Sequence, residues 1–225
     1  MPEIRFEGAG VAVGDRTILA PTDLVLCEQR IAVIGGNGSG KSTLARLING
    51  LVEPTAGRVT VDGLDTVRQG AQVRRRVGFC FTDPSAQLVM PTCVEDVELS
   101  LRKRLPSAER RPAALATLAR FGLEDRADVS VHAISGGQRQ LLALAGVLAV
   151  EPAVVVADEP TTLLDLANTR RVGDLLLSLP QQLVLVTHDL DLAARCERVL
   201  VVEDGAVRFD GPAREAVDHY VGSVV

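Results

Sequence analysis

The 225-residue sequence has no excess of positive charge: 24 lysines and arginines stand against 29 acidic residues, a formal net charge of -5. Binding to a phosphate backbone needs clustered positive charge, so no nucleic-acid partner is expected. The basic runs that do occur, Arg74 to Arg76 and Arg102 to Arg104, read as solvated faces. No charged-then-apolar leader opens the chain, and its longest apolar run, Leu141 to Val150, stops after ten residues at Glu151 and Pro152. That is about half of a membrane-spanning helix, so any role at a membrane must come through a partner. No C-x-x-C spacing joins the four cysteines, Cys27, Cys80, Cys93 and Cys196. All but Cys196 have mainly apolar sequence neighbours, which predicts buried, reduced thiols in a cytosolic protein. Repeats and low-complexity tracts are also lacking. With 47% apolar and 24% charged residues, the composition is that of a globular protein with one sizeable core.

What is present is a series of short runs rich in valine and isoleucine, each ending in a loop: "RIAVIGG", "RVGFCF", "AVVVAD" and "QLVLVTH". Runs apolar on both faces predict parallel strands covered by helices, hence an α/β fold. The first 30 residues and Arg58 to Asp62 look instead like antiparallel strands, with Asp62-Gly63 as turn chemistry. "RVLVVEDGAVRFDG" predicts a hairpin on Asp204-Gly205. Between Phe81 and Ala153, about seventy residues carry no strand signal and read as helical. Thr92 with Glu95 makes a capping box there, Ser107 suits the start of the next helix and Gly122 its end. We expect one domain over residues 1–225, with a catalytic core at about 1–83 and 146–225 and an inserted helical subdomain at about 84–145.

"GGNGSGKST" satisfies G-x-x-x-x-G-K-[ST] and stands between a predicted strand and a predicted helix, as a phosphate-binding loop requires. Glycines at 35, 36, 38 and 40 let successive N–H groups turn towards an anion, with Asn37, Ser39 and Thr43 completing the stretch. Lys41 is placed to reach the β and γ phosphates, and Ser42 to offer a hydroxyl to Mg²⁺. The loop by itself leaves a kinase, a GTPase and an ATPase open. The run ending in Asp158 and Glu159 narrows the choice, because it delivers two adjacent carboxylates at the carboxyl end of a buried strand, where ligands sit in open α/β sheets. Asp158 suits a Mg²⁺ site and Glu159 a general base on the attacking water. His188, after "LVLVT", is aimed at the same edge, within reach of a γ phosphate or that water. His132 and His219 lack such placement.

A second glycine-rich helix start, "ISGGQRQ", holds no lysine. Ser135 and Gln138 form a capping box, which accounts for those two residues but not for Gly136 and Gly137. Taken together, "GGNGSGKST", "SGGQ", "VVVADEP", "TLLD" and "THD" occur in the order and spacing of the nucleotide-binding subunits of ABC transporters, and the chain resembles that family over nearly its whole length. The resemblance implies a P-loop ABC-type ATPase core with an antiparallel β subdomain and an inserted helical subdomain. It implies ATP and Mg²⁺ as ligands and assigns Asp165 to the loop that couples two facing sites. It also implies a head-to-tail dimer in which Ser135, Gly136, Gly137 and Gln138 close on the nucleotide held by a second copy.

Within the family, "VGFCFTDPSAQLVMPTCVEDVELSL" is similar to the ATPases of energy-coupling-factor importers, through Phe81, Pro84, Gln87, Leu88, Pro91 and Thr92. This implies two membrane partners, a transmembrane coupling protein and a substrate-binding protein, and a peripheral place on the cytoplasmic face of the cell membrane. The segment from Asp83 to about Glu98 would be the docking groove, and the same stretch looks most like the biotin-uptake branch. The sequence runs only to Val225, which predicts a subunit without an added carboxyl-terminal domain. A soluble or export-linked ABC ATPase and a nucleotide-binding module that never turns over are the other readings.

Two positions depart from the family pattern. Thr82 stands where a glutamine usually contacts Mg²⁺, with Asp83 as an alternative ligand, and Val13 stands where an aromatic ring usually stacks on adenine. Aromatic stacking is worth about 0.5–1.5 kcal/mol beyond burial. GTP should therefore compete with ATP within about tenfold in a competition binding assay, and strong ATP selectivity would show that a ring from elsewhere takes the place left by Val13.

Overall fold

Strand alternation and two-residue turns build most of the β structure in the computed structural model, which describes residues 1–223 and leaves Val225 outside the described residues. β1 (Ile4–Val13) and β2 (Arg16–Leu26) form a hairpin in which Val13 faces Arg16 across Gly14-Asp15. β3 (Arg30–Ile34) leads through the glycine-rich loop into α1 (Lys41–Ile48). β4 (Ala56–Val61) and β5 (Leu64–Asp65) then pair across Asp62-Gly63, followed by α2 (Gly70–Arg76) and β6 (Val77–Cys80). Next come α3 (Cys93–Leu101), α4 (Ser107–Arg120) and α5 (Gly136–Leu148) with no strand between them. β7 (Val154–Asp158), α6 (Leu166–Leu177), β8 (Gln182–Val186) and α7 (Leu190–Ala193) precede a hairpin of β9 (Arg198–Glu203) and β10 (Ala206–Pro212), and α8 (Ala213–Ser223) ends the described chain.

The two aspartate-glycine turns predicted from sequence are both there, and each places both residues at positive φ: 50° and 75° for Asp62 and Gly63, 47° and 74° for Asp204 and Gly205. Such a pair matches the twist of the flanking strands, which is why aspartate and glycine are found at it. One sheet runs β2-β1-β4-β5 and is antiparallel; the other runs β10-β9-β3-β8-β7-β6. β9, β3, β8 and β7 are mutually parallel, and every residue of β3, β7 and β8 is buried, as their unbroken apolar runs require.

The chain divides into two compact units: Met1–Phe79 with Ala153–Glu159 and Leu175–Val225, and Cys80–Pro152 with Pro160–Asp174. In the first, α1 packs over β7 and β8 and also meets β2 and β4. Ala32 and Ile34 of β3 point into a cluster with Ala193, Cys196, Val199 and Ala216, against which Leu190 and Tyr220 also pack. Because strand side chains alternate, Ile31 and Val33 face the other way. The buried Arg30 guanidinium, at the start of β3, donates to the carbonyls of Leu177, Leu179 and Gln181, fastening the connection that leads into β8. In the second unit, the Glu95 carboxylate accepts from the N–H and hydroxyl of Thr92, at 3.1 and 2.7 Å, and starts α3. Asp96 is buried and accepts from the N–H groups of Val89 and Met90 at 2.8 and 3.0 Å.

The cysteines correct the sequence expectation. Cys80, Cys93 and Cys196 are buried, whereas Cys27 is exposed. Cys27 follows the last residue of β2, where alternation turns Leu26 inward and the next side chain outward. Cys196 is drawn inside by the cluster beneath α7, although glutamate and arginine flank it, and burial pushes its thiol pKa up to about 12. A thiolate is the reactive species, so iodoacetamide at pH 8 should alkylate Cys27 within minutes and the other three only after unfolding. Mass spectrometry of digested, labelled protein would check this, and prompt modification of Cys196 would contradict it.

Candidate nucleotide site

The loop between β3 and α1 can be built only from residues without side chains at its tightest points. Gly35 has φ 144°, and a Cβ there would lie 2.0 Å from the carbonyl oxygen of Val202 on β9. Gly38 and Gly40 also have positive φ, and Gly40 precedes the first turn of α1. Lys41 folds back over the loop and donates from Nζ to the carbonyls of Gly35 and Gly36 at 2.8 and 2.7 Å. It is buried, and desolvation holds its pKa below the usual lysine value against the raising effect of Glu159 and Asp158.

β7 brings Asp158 against the same helix. Its side chain has no solvent exposure, and Ser42 Oγ donates to its Oδ1 at 2.8 Å. Arg46 Nη2 meets Oδ2 at 3.1 Å. A buried carboxylate is costly unless it is paired and hydrogen-bonded, and these two residues, four apart on one face of α1, do both. Sequence reasoning passed over Arg46; its signal was the four-residue spacing from Ser42. Glu159, the next residue, has φ 49°, a left-handed conformation sparsely populated by side-chain-bearing residues and concentrated at functional sites. Its N–H donates to the carbonyl of Val186 at 2.9 Å. His188, just beyond β8, places Nδ1 3.4 Å from Glu159 Oε2, with its ring more than half exposed and the carboxylate at 17%. The structure thus brings Lys41, Ser42, Asp158, Glu159 and His188 together at the carboxyl edges of β3, β7 and β8. Val13 belongs to this unit too and is 69% exposed beside the Gly14-Asp15 turn.

The remaining candidates lie in the second unit. Ser135 caps α5: its Oγ accepts from the Gln138 N–H at 3.2 Å, and Gln138 Oε1 accepts from the Ser135 N–H at 2.9 Å. Gly136 has open space where a side chain would stand, and Gly137 is buried. Asp165 accepts from the backbone and side-chain N–H groups of Asn168, and these bonds hold its pKa below the usual carboxylate value. Thr82 follows β6. Its neighbour Asp83 uses Oδ1 to accept from the Ser85 N–H at 2.8 Å, starting the 3-10 turn Pro84–Ala86, while Gln87 ties that turn to the carbonyl of Ala143 on α5 at 3.0 Å.

The donor set fits a triphosphate and a hard cation. It offers a glycine loop crossed by a lysine for the phosphates, and two oxygen groups, the Ser42 hydroxyl and the Asp158 carboxylate, for Mg²⁺. The ABC transporter family profile matches residues 25–162, more than half of the chain. The chain belongs to the ABC transporter family. Among relatives of this ABC ATPase is the biotin transport ATP-binding protein BioM of Rhizobium etli, 46% identical over 96% of this chain and 97% of that protein. Relatives that carry the energy-coupling-factor name also match. Of solved structures, cbiO1 from Clostridium perfringens, described as part of the ABC transporter complex cbiONQ, superposes with a TM-score of 0.84 at 30% identity, covering 99% of this chain and 93% of that one. The ATP-binding cassette MJ0796, solved as a dimer in a post-hydrolysis state with ADP and Pi, gives 0.83 at 31% identity over 94% of this chain and 99% of its own.

Proposed function

We propose that this ABC ATPase hydrolyses MgATP as a head-to-tail pair of identical subunits and energises an importer of the energy-coupling-factor type, with biotin as its cargo. The observation that carries the reading is the edge formed by Ser42 on Asp158 and His188 on Glu159, beside a glycine loop crossed by Lys41. The two compact units are read as one nucleotide-binding domain. Lys41 holds the β and γ phosphates, Asp158 and Ser42 hold Mg²⁺, and the cation when bound neutralises charge on the transferred phosphoryl group. Glu159 takes a proton from the attacking water, and His188, on its carboxylate, fixes that side chain and bonds to the same water or to the γ phosphate. Since one chain carries both a P-loop and the Ser135–Gly137 helix start, two copies build two equivalent composite sites.

Replacing a general base typically removes 10²–10⁴-fold in rate, so Glu159→Gln should lose about that much kcat while still binding ATP and accumulating as a dimer on a sizing column. Hydrolysis at the parental rate would remove Glu159 from the role. In the same assay, Ser135→Arg should form no ATP-dependent dimer, and mixtures of Ser135→Arg with Lys41→Ala should regain at most part of the activity.

The membrane partners are read from a groove of about 500 Å³ lined by Leu88, Val89, Met90, Asp128, Val131 and His132. Val89 is 68% exposed there, an apolar side chain suited to a helix from a transmembrane coupling protein, which would hold the subunit on the cytoplasmic face of the membrane. Glu95 and Asp96, both charged and in the same segment, are spoken for by the bonds that start α3 and hold the preceding loop, so their loss would disturb folding rather than docking alone. Val89→Asp should abolish co-purification with the membrane partners and ATP-dependent biotin uptake while leaving the basal ATPase rate within about twofold. Biotin uptake indifferent to deletion of the protein would remove the cargo, and a complex indifferent to Val89→Asp would remove the docking site.

A further inference from the structure

The two glycines of the second glycine-rich helix start are not equivalent. A Cβ on Gly136 would meet nothing within 4 Å, whereas a Cβ on Gly137 would stand 2.6 Å from Cγ, 2.7 Å from Oδ1 and 2.8 Å from Nδ2 of Asn168. Non-bonded carbons do not approach so closely, so with Asn168 in place only glycine fits at 137. The Asn168 amide is itself held. Its Nδ2 donates to Asp165 Oδ2 at 2.9 Å, and its backbone N–H donates to Asp165 Oδ1 at 2.8 Å, an N-cap that fixes the start of α6. Three residues on, Arg171 Nη2 donates to the carbonyl of Phe121 at the end of α4, 3.1 Å away. The first two turns of α6 are thus each fastened, and the Asn168 side chain lies against the backbone that opens α5.

We propose that Asn168 is a positioning residue that locks the Ser135–Gly137 helix start to Asp165 of the same chain, so that the two segments the dimer reading turns towards a partner move as one piece. This rests on that reading. It divides the labour of the paired glycines: Gly136 stays bare because something from outside must approach it, and Gly137 because Asn168 already does. An amide is suited to the task, having a donor for Asp165 and a flat face that tolerates contact with the peptide beneath it. The lowered pKa of Asp165 agrees: the Asn168 backbone N–H depresses it most and the side-chain amide adds to the effect.

The test is a double-mutant cycle in the Glu159→Gln background, reading the ATP concentration at half-maximal dimer formation by sizing chromatography, with circular dichroism and Tm on each variant. Gly137→Ala should raise that concentration at least tenfold and Asn168→Ala about threefold. Combining them should bring the double variant back to within about threefold of Asn168→Ala alone, because the clash is gone. Asn168→Asp keeps the shape but sets a carboxylate against Asp165, and should behave like Asn168→Ala; a merely space-filling role would leave it like the parent. If Gly137→Ala is insoluble, recovery of soluble protein on adding Asn168→Ala reads the same coupling, and an insoluble double variant counts against it. Additive effects alongside a defective Ser135→Arg control would overturn the role of Asn168 only. Normal dimer formation by Ser135→Arg would instead overturn the partner reading beneath it.

Discussion

A carboxylate sealed from water sets the terms for the catalytic unit. Asp158 lies sealed at the end of β7, where Ser42 and Arg46 meet it from α1, and those contacts in turn fix how the helix lies on the strand. The helix is reached through a loop so close to β9 that Gly35 leaves no room for a methyl group below the Val202 carbonyl. Loop, helix and strand end are therefore one mechanical unit, and the left-handed backbone at Glu159 is held inside it. Strain of that kind persists only where the surroundings over-determine it, and here the bond from the Glu159 N–H to Val186 and the packing of β7 between its neighbours supply the determination.

The parts of the fold legible in the sequence are those governed by short-range rules. Val154 to Ala157 and Leu183 to Val186 announce themselves as buried strands because no polar residue interrupts them for water to claim. Asp62-Gly63 and Asp204-Gly205 announce their hairpins because few other pairs accept two positive φ angles in a row. The Gly14-Asp15 turn, with the same residues reversed, has positive φ only at Gly14 and so gives a weaker signal. The capping boxes at Thr92 and Ser135 are likewise local, each closed by a residue three positions on.

What escaped was set by the third dimension. Apolar neighbours made Cys27 look buried, and Cys196 alone lacked them, but the packing of α7 against β3 buries Cys196 and strand alternation exposes Cys27. Arg46 and Asn168 carry no motif; each matters through a residue distant in sequence, Asp158 for the first and Gly137 for the second, 112 and 31 positions away. Asp96 likewise carries no motif, and only the return of the chain at Val89 and Met90 shows what it holds. Candidate chemistry could be named from spacing, whereas the supports of that chemistry could not.

The cap on α5 has a further consequence for what Ser135 can offer. A hydroxyl has one proton to give and two lone pairs to receive with. The Gln138 N–H occupies a lone pair of Ser135 Oγ, and Gln138 Oε1 takes the backbone N–H of the same serine. The helix start thereby takes one lone pair of the serine hydroxyl and leaves its proton to give, beside the bare backbone of Gly136 and the positive end of the helix dipole. On the dimer reading proposed above, a residue chosen to begin a helix would also offer a partner's negative charge a donor that needs no lysine beside it.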